Sequence, residues 1–104
     1  MNIDVNYDQT ENKIRVKLEG DLDLNTVSAF KRCMDEKIDE TPANVEIDCC
    51  DLRYIDSTGI GVLVSVLKKV REYDGSIKLK ELKPYLFKIF DVTGLTNIFE
   101  IEVA

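Results

Sequence analysis

Polar and apolar positions alternate from the first residues of the chain. Ile3, Val5 and Tyr7 are separated by Asn2, Asp4, Asn6 and Asp8, the period-two signature of a half-buried strand. After the polar stretch Gln9-Thr10-Glu11-Asn12, Ile14, Val16 and Leu18 alternate with Lys13, Arg15, Lys17 and Glu19 up to Gly20. These two runs predict a hairpin. The period then changes. Val27, Phe30, Met34 and Ile38 share one helical face over residues 25–39, with Asn25 as the expected N-cap and Thr41-Pro42 as the stop. Val45, Ile47 and Cys49 predict a third strand. A second helix is expected from about Ser57 to Tyr73, closed by Asp74-Gly75. Ile77 and Leu79 mark a fourth strand. Pro84 opens a third helix that carries Leu86, Ile89 and Phe90 and is capped by Gly94, and Phe99, Ile101 and Val103 alternate as a last strand.

The order is therefore β-β-α-β-α-β-α-β. It implies an α/β fold, a mixed sheet of four to five strands with helices packed on it. With 104 residues, one domain spanning 1–104 is expected, and it is large enough to bury a core without disulfide or metal support. Such a scaffold does not by itself specify a function.

Composition narrows the classes. The chain carries 20 acidic and 14 basic residues, a net charge of -6, which argues against nucleic acid as a partner. Two small basic groups, Lys68-Lys69-Arg71 and Lys78-Lys80-Lys83, read as solvated faces. No apolar run is long enough to span a bilayer and the Met1 end lacks a signal-peptide pattern, so no membrane is expected and the localisation is taken as cytoplasmic. Cys33, Cys49 and Cys50 read as reduced thiols; the last two are adjacent on a strand and point to opposite faces. With no CxxC and no histidine, neither a metal site nor a cofactor is expected.

One segment stands apart from this bland background: Asp51-Leu52-Arg53-Tyr54-Ile55-Asp56-Ser57-Thr58-Gly59-Ile60-Gly61, joining the third strand to the second helix. Ser57 falls at the N-cap or in the first turn, ahead of the N–H groups of Gly59 and Ile60. A helix start offers unpaired donors and partial positive charge, so a phosphate on Ser57 would be held by backbone. The alternative is that Ser57 or Asp56 simply caps the helix. In the helix itself, Ile60, Leu63, Leu67 and Val70 form the expected buried stripe. Ser57, Gly61, Ser65 and Lys68 or Lys69 form a second stripe of small or polar groups, and Val62 and Val66 are expected as partly exposed apolar contacts flanking it. Glycine inside a helix costs about 1 kcal/mol relative to alanine, so Gly61 implies close approach of another backbone, within the protein or in a partner. Burial of the helix on two sides is the competing explanation.

Asp56-Ser57-Thr58-Gly59-Ile60-Gly61-Val62-Leu63 resembles the phosphoacceptor motif of the anti-sigma factor antagonists, members of the STAS domain family. Gly20-Asp21-Leu22-Asp23 resembles that family's turn before the first helix. Leu86-Phe87-Lys88-Ile89-Phe90-Asp91-Val92-Thr93-Gly94-Leu95 resembles its last-helix signature. The similarity runs over nearly the whole chain. It implies a partner switch: the unmodified protein binds an anti-sigma factor with serine kinase activity and so frees a sigma factor. Phosphorylation at Ser57 ends binding, and a PP2C-type phosphatase restores it. Thr58 stands where many relatives have a second serine and is a secondary candidate acceptor. The same resemblance puts Asp21 and Asp23 beside Ser57 on the docking face. With the acceptor motif and the small-residue stripe of the second helix, the expected partner-binding residues are Asp21, Asp23, Asp56, Ser57, Thr58, Gly59, Gly61 and Ser65. An acidic turn at a strand end is the alternative role of Asp21 and Asp23.

Other motif fragments do not hold up, and no enzymatic activity is expected. Ser65-Val66-Leu67-Lys68 fits Ser-x-x-Lys, but the companion elements of that enzyme class are absent. Gly59-Ile60-Gly61 lacks the third glycine of a dinucleotide fingerprint. Asp4, Asn6 and Asp8 imitate a calcium loop, yet Gln9 and Arg15 stand where its glycine and final glutamate belong. A Ser-His-Asp triad has no histidine to use. The rival functions are a STAS subunit of a signalling assembly or transport system, and a small nucleotide-binding module.

Overall fold

The amphipathic alternation at the start folds as expected into a hairpin, β1 (Asn2–Asp8) and β2 (Lys13–Leu22), in the computed structural model, which describes residues 1–104. Its turn is held locally: Asp8 Oδ1 accepts the Glu11 amide at 3.1 Å, and the Tyr7 hydroxyl donates to Asn12 Oδ1 at 2.7 Å. The chain continues through α1 (Val27–Glu40), β3 (Asn44–Ile55), α2 (Ser57–Arg71), β4 (Ile77–Leu82), α3 (Pro84–Val92), a 3-10 turn at Leu95–Asn97, and β5 (Glu100–Val103). The strands make one five-stranded sheet in the order β1-β2-β3-β4-β5. Only the β1–β2 pair is antiparallel; each later neighbour is parallel. No helix is long and apolar enough to cross a membrane.

Helices cover one face of this sheet. Ile14, Val16, Leu18 and Leu22 of β2 and Val45, Ile47 and Cys49 of β3 are buried against Phe30, Met34 and Ile38 of α1 and the inner side of α2. Phe90 of α3 meets Phe99 edge to face, with ring centroids 5.9 Å apart. The opposite face carries charge. Across the strands Arg15, Glu46, Lys78 and Glu100 stand side by side, as do Lys17, Asp48 and Lys80. The signs alternate, so cross-strand neighbours attract and the face is largely self-neutralised. Glu46, the buried member of this layer, is paired with Arg15 and lies 3.7 Å from Lys13. The acidic excess must therefore be carried elsewhere.

Four expectations need correction. The N-cap of α1 is Thr26, not Asn25. Asn25 instead donates its amide to Asp23 Oδ1 at 2.9 Å, inside a turn that closes before the helix begins. Strand β3 does not end near Cys49 but runs to Ile55. Two register shifts against β2, at Lys17/Glu19 and Gly20/Asp21, turn its alternation into a spacing of three, with Cys49, Leu52 and Ile55 buried. Val62 and Val66 are not partly exposed; they retain 8% and 0% of their surface, while Ile60 is only half-buried. The cause is that α2 packs on both the sheet and α1, which widens its buried face around to those valines. The basic groups are not purely solvated either: Lys69 reaches Asp39 of α1 at 2.8 Å, and Lys78 lies 3.5 Å from Glu102.

Strand β3 also outruns β4, which pairs with it only over residues 45–48. Carbonyls on the overhang are left without a strand partner. Lys83 Nζ bonds the Cys50 carbonyl and the Tyr85 hydroxyl bonds the Arg53 carbonyl, so the start of α3 props the segment that leads into α2.

Candidate functional site

A single residue, Asp56, separates the end of β3 from the start of α2, and it organises the site. Its backbone is extended (φ -104°, ψ -175°), as an N-cap requires. Oδ1 accepts the Gly59 amide at 2.9 Å and the Thr58 hydroxyl at 2.6 Å. Oδ2 accepts the Leu24 amide at 3.1 Å, from the turn between β2 and α1. The Asp56 amide donates in return to the Leu22 carbonyl at 3.3 Å. One carboxylate thus stitches two loops together. These donors, the Thr58 hydroxyl first and the Gly59 amide second, hold the Asp56 carboxyl below its ordinary value.

Ser57 is the first residue of α2 and is exposed, and no intramolecular hydrogen bond engages its hydroxyl. Thr58 is equally exposed, but its hydroxyl is committed to Asp56. The two neighbouring candidate acceptors therefore differ: one hydroxyl is free and the other is tied. In the unmodified chain the Gly59 and Ile60 amides, expected to face a phosphate, are already engaged. The first goes to Asp56 Oδ1 and the second to the Asp56 carbonyl at 3.0 Å. The anion position at the helix start is thus filled by the Asp56 carboxylate.

The glycines divide by role. A Cβ on Gly59 would sit 2.3 Å from the Leu22 carbonyl oxygen and 2.7 Å from Ile55 Cγ1, so this residue lets α2 press against the end of β2. Gly61, one turn along from Ser57, is exposed and a Cβ there would meet nothing within 4 Å. Of the two readings of Gly61, close approach of another backbone within the protein is excluded, since within this helix that approach is made at Gly59, and approach by a partner is left open.

Asp21 and Asp23 are brought to the site by the same stitch. Asp23 Oδ1 holds the Asn25 amide, and its own amide donates to Thr26 Oγ1 at 2.9 Å, so Asp23 builds the turn. Asp21, in register with Tyr54, lies 3.7 Å from Arg53 Nε. Ser65 is half-buried two helical turns beyond Ser57, about 12 Å along the axis. Leu24 was missed by the sequence reading. It is 71% exposed, and the only signal for it was an apolar residue out of period directly after Asp23. The principal surface depressions are shallow and lined by charges of both signs. The first, about 470 Å³, lies among Met1, Glu19, Asp51, Arg53 and Lys83, and none of them includes Ser57.

The family model described as STAS domain matches residues 4–103. The anti-sigma-B factor antagonist of Bacillus subtilis (strain 168) is 38% identical over 102 residues, covering 98% of this chain and 93% of that protein. The counterpart from Listeria monocytogenes is 30% identical over 103 residues, covering 98% and 90%. Among solved structures, the anti-sigma factor antagonist SpoIIAA in its unphosphorylated form superposes with a TM-score of 0.77 at 17% identity, covering 99% of this chain and 89% of that one. In sequence and in fold, the chain belongs to the STAS domain family.

Proposed function

We propose that the protein is a cytoplasmic anti-sigma factor antagonist, a switched binding module and not an enzyme. In its unmodified form it binds an anti-sigma factor that is also a serine kinase, and a sigma factor is released for transcription. Phosphorylation of Ser57 ends the complex, and a PP2C-type phosphatase resets it. The observation that carries this reading is the free Ser57 hydroxyl at the first position of α2, beside a Thr58 whose hydroxyl is occupied. The name of the 38%-identical relative supports the same class.

The switch follows from charge and space. A phosphate adds about -1.5 to -2 charges near neutral pH. Because Asp56 occupies the helix N-terminus, the added charge projects from the surface next to Asp56 itself. Desolvating an uncompensated charge against a partner costs several kcal/mol, and about 1.4 kcal/mol already means tenfold in affinity. Gly61 leaves bare backbone one turn away, where a side chain would stand between the helix and a partner.

The test uses the wild-type chain, Ser57→Ala and Gly61→Leu with the purified anti-sigma factor kinase and ATP. Wild type is expected to take up one phosphate and then lose binding. Ser57→Ala should bind but take up none, and Gly61→Leu should stay folded and bind weakly. Equal phosphate incorporation in wild type and Ser57→Ala refutes the assignment. Recovery of membrane transport components in place of a kinase, when the chain is used as bait, redirects the function.

A further inference from the structure

We infer that Leu24 is the apolar anchor of the docking face, seated on binding in an apolar socket of a folded protein partner rimmed by Lys or Arg; the inference rests on the antagonist reading above. Leu24 leaves 71% of its surface in water, at the tip of the turn between β2 and α1. The fold needs only its backbone: the Leu24 amide donates to Asp56 Oδ2, and any residue except proline supplies that amide. Its side chain contributes nothing visible to the core, so an isobutyl group here is unexplained by folding.

The turn is also rigid before any partner arrives. The Thr26 and Val27 amides both donate to the Asp23 carbonyl at 3.0 Å, the Asp23 amide donates to Thr26 Oγ1, and the Thr26 hydroxyl donates to the Asp21 carbonyl at 2.9 Å. A side chain carried on a pre-ordered turn binds without a large ordering cost, the condition under which one residue dominates an interface. The same Asp56 carboxylate that starts the Ser57 helix holds Leu24, so anchor and acceptor share one rigid unit.

Charge identifies the occupant. The open sheet face largely cancels its own charges, whereas beside Leu24 the Asp56 carboxylate that holds its amide and the adjoining Asp23 carboxylate form no ion pair. Only Asp21 of the same segment lies near a cation, 3.7 Å from Arg53 Nε. A second copy of this chain would set acid against acid, and an anionic membrane surface would be repelled. A protein surface with basic residues around an apolar pocket is complementary in both respects.

Isothermal titration of the full chain with the purified anti-sigma factor kinase tests this, at low and high salt. Val92, 72% exposed at the far end of α3, provides the control for loss of exposed apolar surface. Leu24→Ala is expected to weaken binding about tenfold or more, with Leu24→Met near wild type and Val92→Ala unchanged. Wild-type affinity should fall as salt rises. Phosphorylation kinetics should show a raised KM with kcat retained, since Ser57 is still presented by Asp56. Matching melting curves would show that the variants fold. Wild-type affinity in Leu24→Ala, or an equal loss in Val92→Ala, overturns the inference alone. Absence of binding by the wild-type chain overturns the antagonist reading and the inference with it.

Discussion

Substituting alanine at Gly59 and at Gly61 should move stability in opposite directions, although both are glycines in the first turns of one helix. At Gly59 the new Cβ falls 2.3 Å from the Leu22 carbonyl oxygen and 2.7 Å from Ile55 Cγ1. Comfortable contact lies near roughly 3.5 Å, so the start of α2 must retreat from β2 by about 1 Å. That movement strains two bonds, Leu24 amide to Asp56 Oδ2 at 3.1 Å and the already long Asp56 amide to Leu22 carbonyl bond at 3.3 Å. Overpacking of this kind costs about 1–3 kcal/mol, and better helix propensity returns up to about 1. The net expectation is a loss of about 1–2 kcal/mol, or roughly 4–10 °C in melting temperature for a domain this size. At Gly61 there is nothing to clash with, and only the propensity gain of up to about 1 kcal/mol remains. Thermal and urea unfolding followed by far-UV circular dichroism would measure both, with an unchanged urea slope confirming that the same surface unfolds. A Gly59→Ala protein as stable as wild type, or a destabilised Gly61→Ala, would refute the packing described for the helix start.

The depressed Asp56 carboxyl has a pH consequence. Its stabilising contribution is full above the unfolded value near roughly 4 and is lost as pH falls through the lower folded value. Asp56→Asn should therefore melt below wild type at neutral pH, with the gap closing at acid pH; a gap independent of pH would refute the charge-based role. Burial pushes the Cys49 thiol up to about 12, whereas Cys50 is exposed. A thiol reagent at pH 8 should label Cys50 promptly and Cys49 only on unfolding, as peptide mapping would show. Phosphoserine at 57 should titrate with a second pKa at or above roughly 6, since its neighbour is a carboxylate and the adjoining helix amides are taken. A phosphorus NMR titration giving a clearly lower value would mean that the phosphate captures those amides and that Asp56 gives way.

Residue pattern alone determined the succession of elements, because each amphipathic period is a local property. Ile14, Val16 and Leu18 can share a face only in a strand, and Phe30, Met34 and Ile38 only in a helix. The resemblance around Asp56-Ser57-Thr58-Gly59 also located the region of interest. What a one-dimensional pattern cannot hold is the register between distant strands. Two shifts against β2 carry β3 on to Ile55 and set Leu22 beneath Gly59, and so decide which glycine is obligatory. The width of the buried face of α2 depends on α1 lying beside it, which is why Val62 and Val66 were misjudged. Leu24 and Asp56 are 32 positions apart, and only the folded chain joins them. The cap itself is local, Asp56 Oδ1 on the Gly59 amide. Only the fold lets the other oxygen of that carboxylate hold the Leu24 turn beside Ser57, because the two segments meet through the pairing of β2 with β3.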